Sequence, residues 1–402
     1  MGADFLRRMD WLGTRRVAGY LRLLAALNAA MLALLLLTSH AGIDRNGFLL
    51  GSDFISFWTT GHMLASGANP YDGAAHIAAQ RAFFASDSGY TAFFYPPSFL
   101  PFCRPLGMLG YFPALGAWLA ATGALYLAAI GAWRRQMAIT APPWLVFLAF
   151  PAVPIVVTHG QTAFLVAGLL GLGAWLVPSR PVLAGVFFGL AAIKPQFGLL
   201  LPLVLLLTRE WKVVAAAAST ALALALFAAL AFGPQAWPDW VAASERAQDA
   251  MAAGAVGYAK MSSPFAALKL LGAPTALAYG VQGAVSLGVA VLLARTAWGR
   301  RWSPGLAAAT LAGSPLATPF VLDYDMVLIA FPLLWLTGQG LKHGFADWEK
   351  LAILVAFAAP AFARPLAMNL GVPVMPLVLG ALFAAILRRS AIVVQKLDNV
   401  TE

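Results

Sequence analysis

The sequence predicts an all-α polytopic membrane protein: a bundle of about twelve transmembrane helices, with further surface helices in its first outer loop. Three observations carry this expectation. Of 402 residues, 61% are hydrophobic and 10% charged, with a mean hydropathy of +0.79; soluble domains run at about 25% charged. The apolar residues come in long unbroken runs, without the alternation of a transmembrane barrel, so helices are the spanning elements. The Lys and Arg residues behind the net charge of +10 cluster between those runs, as the positive-inside bias produces. That pattern assigns the charge to topology and gives no ground for nucleic-acid binding.

The N-terminal stretch MGADFLRRMDWLGTRRVAGYLR has the charged character of a signal peptide's first region. The apolar run after it, 23–38, is long and has no small-x-small cleavage site behind it, so it reads as a retained signal anchor. Spans are expected at 18–38, 112–132, 143–158, 161–177, 213–232, 275–296, 303–318, 326–340, 350–363 and 371–388. Residues 181–208 read as two short helices of about 13 residues meeting at Lys194, because Pro195 lacks an N–H and disfavours helix at the residue before it. The proline-rich YPPSFLPFCRPLGML (95–109) and SPFAALKLLGAP (263–274) read as embedded helices that do not cross.

With both termini in the cytoplasm, most of the 26 basic residues fall on that side, which supports the orientation. Two large loops then lie outside, 39–94 and 233–262. The first has helical patterns at 54–66 and 74–85, expected to lie on the membrane as amphipathic helices. Residues 1–390 form one membrane domain, and 391–402 a cytoplasmic tail. The single cysteine, Cys103, excludes an intrachain disulfide.

The acids away from the basic clusters collect on the outer side: Asp44, Asp53, Asp72, Asp87, Asp239, Glu245, Asp249, Asp323 and Asp325. Asp53 stands among Phe54, Ile55, Phe57 and Trp58. A charge at membrane depth is costly and is usually functional; the other reading is an N-cap of the helix from 54. Lys194 is the one basic residue at the tip of the expected helical hairpin. It reads either as a cation for a phosphate at headgroup level or as a lysine snorkelling from a helix end. Asp323, Tyr324 and Asp325 precede a span on the same face, as substrate contacts or as acids favoured by the helix dipole. His159 and Gln161 occupy a short outer turn, as ligands for sugar or phosphate oxygens or as turn chemistry. Tyr71, Tyr95, Trp58 and Phe54 read as stacking surfaces for a sugar or as an interfacial belt. The chain has no phosphate-binding glycine loop, dinucleotide fingerprint or metal-ligand spacing, and the Asp323/Asp325 pair at a span edge is discounted as a metal site.

Taken in order, six stretches are similar to one family: Ser52-Asp53-Phe54, GANPYD (67–72), FFYPPSFLPFCRPL (93–106), HGQTAFLVAGLL (159–170), LAGVFFGLAAIKPQFGLLLPLVLLLTREWK (183–212) and SPLATPFVLDYDMVL (314–328). Over roughly 15–390 the chain resembles the polyprenol-phosphate-dependent glycosyltransferases of the GT-C fold, specifically glycosyltransferase family 87. The resemblance implies a membrane enzyme of a bacterial inner membrane. It would move a sugar, mannose foremost, from a polyprenyl-phosphate donor to a glycolipid or glycan acceptor at the periplasmic face, with inversion and without a cofactor. It implies Asp53 as the catalytic acid residue, puts Lys194 in the donor-phosphate region and matches Asp323, Tyr324 and Asp325 to the late outer-face motif; beside these, Arg104 is expected at the donor phosphate, and Tyr95, His159 and Gln161 with Asp323, Tyr324 and Asp325 around the substrate. Some relatives carry a histidine near the late motif, where this chain has none. The competing expectations are a transporter or flippase built on broken helices and a different membrane-embedded transferase. Convergence of Asp53, Lys194 and Asp323 favours a transferase; dispersal favours transport.

Overall fold

The computed structural model describes residues 2–84 and 91–401, with side chains over 4–84 and 91–392; Asp87 lies outside the described residues. Regular structure among them is helical, with isolated bridges and no strand. In chain order the helices are α1 (Gly2–Arg8), α2 (Thr14–Thr38), α3 (Phe54–Ala65), α4 (Gly73–Phe83), α5 (Leu100–Leu106), α6 (Tyr111–Gln136), α7 (Pro143–Ala149), α8 (Ala152–His159), α9 (Ala163–Leu176) and α10 (Pro181–Leu190). They continue as α11 (Leu201–Leu207), α12 (Trp211–Phe232), α13 (Ala236–Ala252), α14 (Pro264–Leu270), α15 (Thr275–Ala297), α16 (Pro304–Gly313), α17 (Ala330–His343), α18 (Glu349–Leu370) and α19 (Met375–Thr401).

Among the described residues, seven stretches are long and apolar enough to cross a membrane: α2, α6, α12, α15, Asp323–His343, α18 and Met375–Ile392. Helices α2 and α12 are apolar all round yet bury almost nothing; Leu37 and Leu230 are 83% and 87% exposed. Such faces are a liability in water and need no protein partner beside acyl chains. Asp323–His343 is the opposite case, with 83% of its apolar window inside the protein. Around this central post pack α6, α9, α16 and α18.

Seven is fewer than the expected twelve or so, and the shortfall has local causes. The run 143–158 breaks at Phe150, which is held extended ahead of Pro151 by the clash that bars helix before proline. Helix α9 has 14 residues, about 21 Å, short of the roughly 30 Å hydrocarbon core. The run 303–318 is a ten-residue helix ending in a 3₁₀ turn, Ser314–Ala317. Helices α5 and α14 have seven residues each, about 10 Å, too short to cross.

Residues 181–208 do meet at Lys194, through 3₁₀ turns Ala191–Ile193 and Pro195–Phe197. A Cβ at Gly185 would fall 2.5 Å from the Val213 carbonyl oxygen, and one at Gly189 2.6 Å from that of Ala217. Helices α10 and α12 therefore touch backbone to backbone, run parallel and start at one level. The chain between them must go out and come back, with Lys194 at the turn.

The first loop corrects one expectation. Helix α3 does not lie on a membrane surface: Phe54 to Gly61 and Met63 are all buried. Its sequence, FISFWTTGHMLA, carries no acid, lysine or arginine, and its Ser56, Thr59 and Thr60 are covered along with its aromatics, so the helix lies inside the protein. Against it, Gly61 meets α5 so closely that a Cβ would sit 2.3 Å from the Cys103 carbonyl oxygen. Helix α4 keeps a surface position, burying only His76 and Gln80. The NPYD turn joins the two: Asp72 caps α4 by accepting from the N–H groups of Ala74 and Ala75. The second outer loop, expected without helix, contains α13. It bonds the first loop through Asn69 to Asp239 (2.8 Å), Arg246 to the Tyr71 carbonyl (3.2 Å) and Trp240 to the Phe94 carbonyl (3.1 Å).

Candidate functional site

The site begins at the turn between α8 and α9. Gly160 has φ +67, and a Cβ there would lie 2.6 Å from Phe54 Cβ, so only glycine makes this left-handed turn. The turn offers carbonyls to the chain before α3: Gly51 N–H donates to Thr158 (2.9 Å) and Asp53 N–H to His159 (3.0 Å). Asp53 is thereby held half-exposed at the start of α3. Its side chain makes no cap bond, which removes the N-cap reading. Instead its Oδ2 accepts from Gln161 Nε2 at 2.8 Å.

Gln161 is itself fixed. Its Oε1 accepts from the Tyr95 hydroxyl (2.9 Å) and from the Thr162 N–H (3.1 Å), and Tyr95 shares a further bond of 2.8 Å with Thr162 Oγ1. With the amide oxygen taken by two donors, the amide nitrogen must face Asp53. Among the described residues, Asp53 Oδ1 has no protein partner. Phe54, Trp58 and Tyr71 are buried; Trp58 donates to the Leu109 carbonyl and Tyr71 to that of Tyr95. They are packing that positions the site, and Tyr95 is the aromatic whose hydroxyl enters it.

The late motif supplies the other wall. Residues Asp323–Ile329 wind as a 3₁₀ helix ahead of α17, longer than such runs usually are. Asp325 starts it, accepting from the Leu322 N–H at 3.0 Å with Oδ2 and from Lys194 Nζ at 2.5 Å with Oδ1. The lysine is 3% exposed and lies 5.0 Å from the Tyr324 ring centre. Asp323 accepts from the Tyr324 N–H (2.9 Å) and from Arg364 of α18 (3.3 Å). The His159 ring stands 5.9 Å from that of Tyr324. Its Nδ1 is 2.8 Å from the Ile155 carbonyl, so the neutral ring carries its proton there and presents Nε2 as an acceptor.

Eight of the nine expected residues thus gather: Asp53, Tyr95, His159, Gln161, Lys194, Asp323, Tyr324 and Asp325. Two expectations change. Lys194 is no free cation, since its charge is matched inside the protein by Asp325. Arg104 stands beside His62, nine residues along α3 from Asp53 and about 13 Å away by helical rise. Two residues were missed. Thr162 braces Tyr95. Arg364 pairs with Asp323, and its one signal was a basic residue just past a span read as ending outside. Among the described residues no three His, Cys, Asp or Glu side chains gather to hold a metal ion.

Fold and site together describe a helical membrane protein with a tethered carboxylate beside two ion pairs. The chain belongs to glycosyltransferase family 87, whose model matches residues 93–321. The matched stretch holds Tyr95, Arg104, His159, Gln161 and Lys194. Asp53 lies before it and joins through Gln161; Asp323 begins two residues after it. No curated protein and no solved structure matches the chain.

Proposed function

We propose that the protein is a GT-C-type hexosyltransferase. It moves a sugar, mannose foremost, from a polyprenyl-phosphate donor to a hydroxyl of a lipid or glycan acceptor, at the periplasmic face of a bacterial inner membrane. The observation that carries this reading is the state of Asp53: one carboxylate oxygen tied to Gln161, the other facing no protein donor.

A single displacement balances as follows. The acceptor hydroxyl oxygen attacks the anomeric carbon and its proton passes to Asp53 Oδ1. The bond from that carbon to the phosphate oxygen breaks, its electron pair leaves with the polyprenyl phosphate, and the anomeric centre inverts. The leaving group is already a stable anion, so one carboxylate suffices, unlike the paired acids of glycoside hydrolysis. Positioned bases of this kind contribute about 10² to 10⁴ in rate. Tyr95, Gln161, His159 Nε2 and the Tyr324 face supply polar and stacking contacts for the sugar. Lys194 acts through Asp325, holding the 3₁₀ segment that presents Asp323 and Tyr324.

The test is transfer by purified protein from radiolabelled polyprenyl-phosphate sugars to candidate acceptors. Asp53→Asn is expected to lose at least about 100-fold in kcat while melting at nearly the wild-type temperature. Full transfer by a folded Asp53→Asn variant would show that another group is the base.

A further inference from the structure

Beside the site runs a cleft lined by Lys260, Asp323 and Arg364. Residues 258–262 form one wall: Ser262 N–H donates to the Val321 carbonyl at 2.9 Å, and Met261 bridges to Leu322. This pairing sets Lys260 next to Asp323. The opposite wall is the last two turns of α18 with the start of α19, bringing Arg364, Ala367 and Val374. The cleft therefore holds two cations and one carboxylate, a net charge of +1. Arg364 spends one N–H on Asp323 at 3.3 Å, and a guanidinium has five. Among the described residues the Lys260 ammonium has no hydrogen bond or ion pair with the protein.

Past the apolar wall the surface stays apolar: Leu370 and Leu377 are 69% and 77% exposed. An open pair of cations at the end of an apolar track matches a phosphate attached to a long hydrocarbon chain. The cleft also adjoins the reaction centre, because Tyr324 lies within electrostatic reach of Asp53 and Asp323 alike. Lys194 is less suited to such an anion, being buried and already paired.

We propose that Lys260 and Arg364 bind the phosphate of the lipid-linked donor, with its chain along the Leu370–Leu377 surface. This rests on the transferase reading above. The two cations hold the phosphate equally in the bound donor and in the transition state, so their contribution is to donor binding.

The test varies the donor at fixed acceptor with the full-length protein in neutral-lipid nanodiscs. Lys260→Gln is expected to raise donor KM about tenfold with kcat within about twofold, the effect of one lost charge-assisted bond. Lys260→Arg should restore most of it. Inhibition by farnesyl phosphate should weaken about as much, and that by farnesol, which lacks the phosphate, should not change. Arg364→Lys, which keeps charge but loses the fork, should also raise donor KM, with the melting temperature checked alongside. Unchanged donor KM and unchanged farnesyl phosphate inhibition in Lys260→Gln would overturn the assignment, as would a rise in acceptor KM alone, which would place the acceptor's phosphate here. If the wild type transfers nothing from any polyprenyl-phosphate sugar, the transferase reading fails. Direct binding of farnesyl phosphate to wild type and Lys260→Gln then decides the cleft by itself.

Discussion

Helix α18 carries a charge into each of two ion-pair regions. Glu349, at its start, pairs with Arg389 of α19; Arg364, roughly 22 Å further along the axis, pairs with Asp323. The first region is closed. Arg389 Nε donates to Glu349 Oε1 at 2.7 Å and Nη2 reaches Oε2, while Nη2 also donates to the Gly344 carbonyl at 2.8 Å. Glu349 Oε2 also accepts from the Ala346 N–H at 2.9 Å, and both side chains are nearly fully buried. The second region is open. Asp53 keeps an unpartnered oxygen among the described residues, Arg364 is 28% exposed, and Lys260 is unpaired. Both ends use carboxylates and basic groups. What separates the closed region from the candidate site is hydrogen-bonding capacity left over.

The largest effects that could break this comparison are on stability. Arg389→Leu leaves Glu349 buried alone, and Lys194→Met does the same to Asp325; each should cost about 3–5 kcal/mol, read as a drop in melting temperature. The two should then part. Per folded molecule Arg389→Leu should transfer sugar at the wild-type rate, whereas Lys194→Met should lose activity because the segment carrying Asp323 and Tyr324 shifts. Equal activity losses would mean that the closed pair is not merely structural.

A smaller effect sharpens the open side. Gln161→Leu removes the donor that orients Asp53 and the acceptor that holds Tyr95. We expect kcat to fall about tenfold at a stability cost of about 1–2 kcal/mol. A normal kcat would mean that Asp53 needs no orientation from Gln161.

A separate effect, away from the site itself, is a pH dependence in the loop that supports it. His76 lies buried under α4 between Thr60 and Gln80, and burial pushes its pKa down from 6.5 to about 4. Between those values the unfolded chain binds more protons than the folded one, so stability rises with pH there. The contribution is complete above 6.5 and is lost as pH falls toward 4. Melting temperatures across that window should fall on acidification in the wild type and more weakly in His76→Gln; parallel slopes would count against His76 as the cause.

How much was legible in the chain follows from range. Lys194-Pro195 announced a break because the steric rule acts between neighbours. The sharp turn at 159–161 is legible for the same reason. Phe150-Pro151 carries an equally local signal, which splits the expected span 143–158. The pattern of 236–252 is likewise local, and it forms α13 within the expected loop. The helical pattern of α3 is legible, but its depth is not, since Ser and Thr beside aromatics suit an interface and a protein interior alike and only packing decides between them.

By itself, the sequence determined that this is a helical membrane protein and where most helices begin and end, because hydropathy, proline and capping act over a few residues. It also singled out most of the side chains that meet at the site. Tertiary structure alone decided their states. It tied Asp53 to Gln161 across 108 positions and spent the Lys194 charge on Asp325 across 131. It also set Arg364 and Lys260 around Asp323. Charge state and free valence depend on which groups come within 3 Å, and that distance is fixed only when the helices pack.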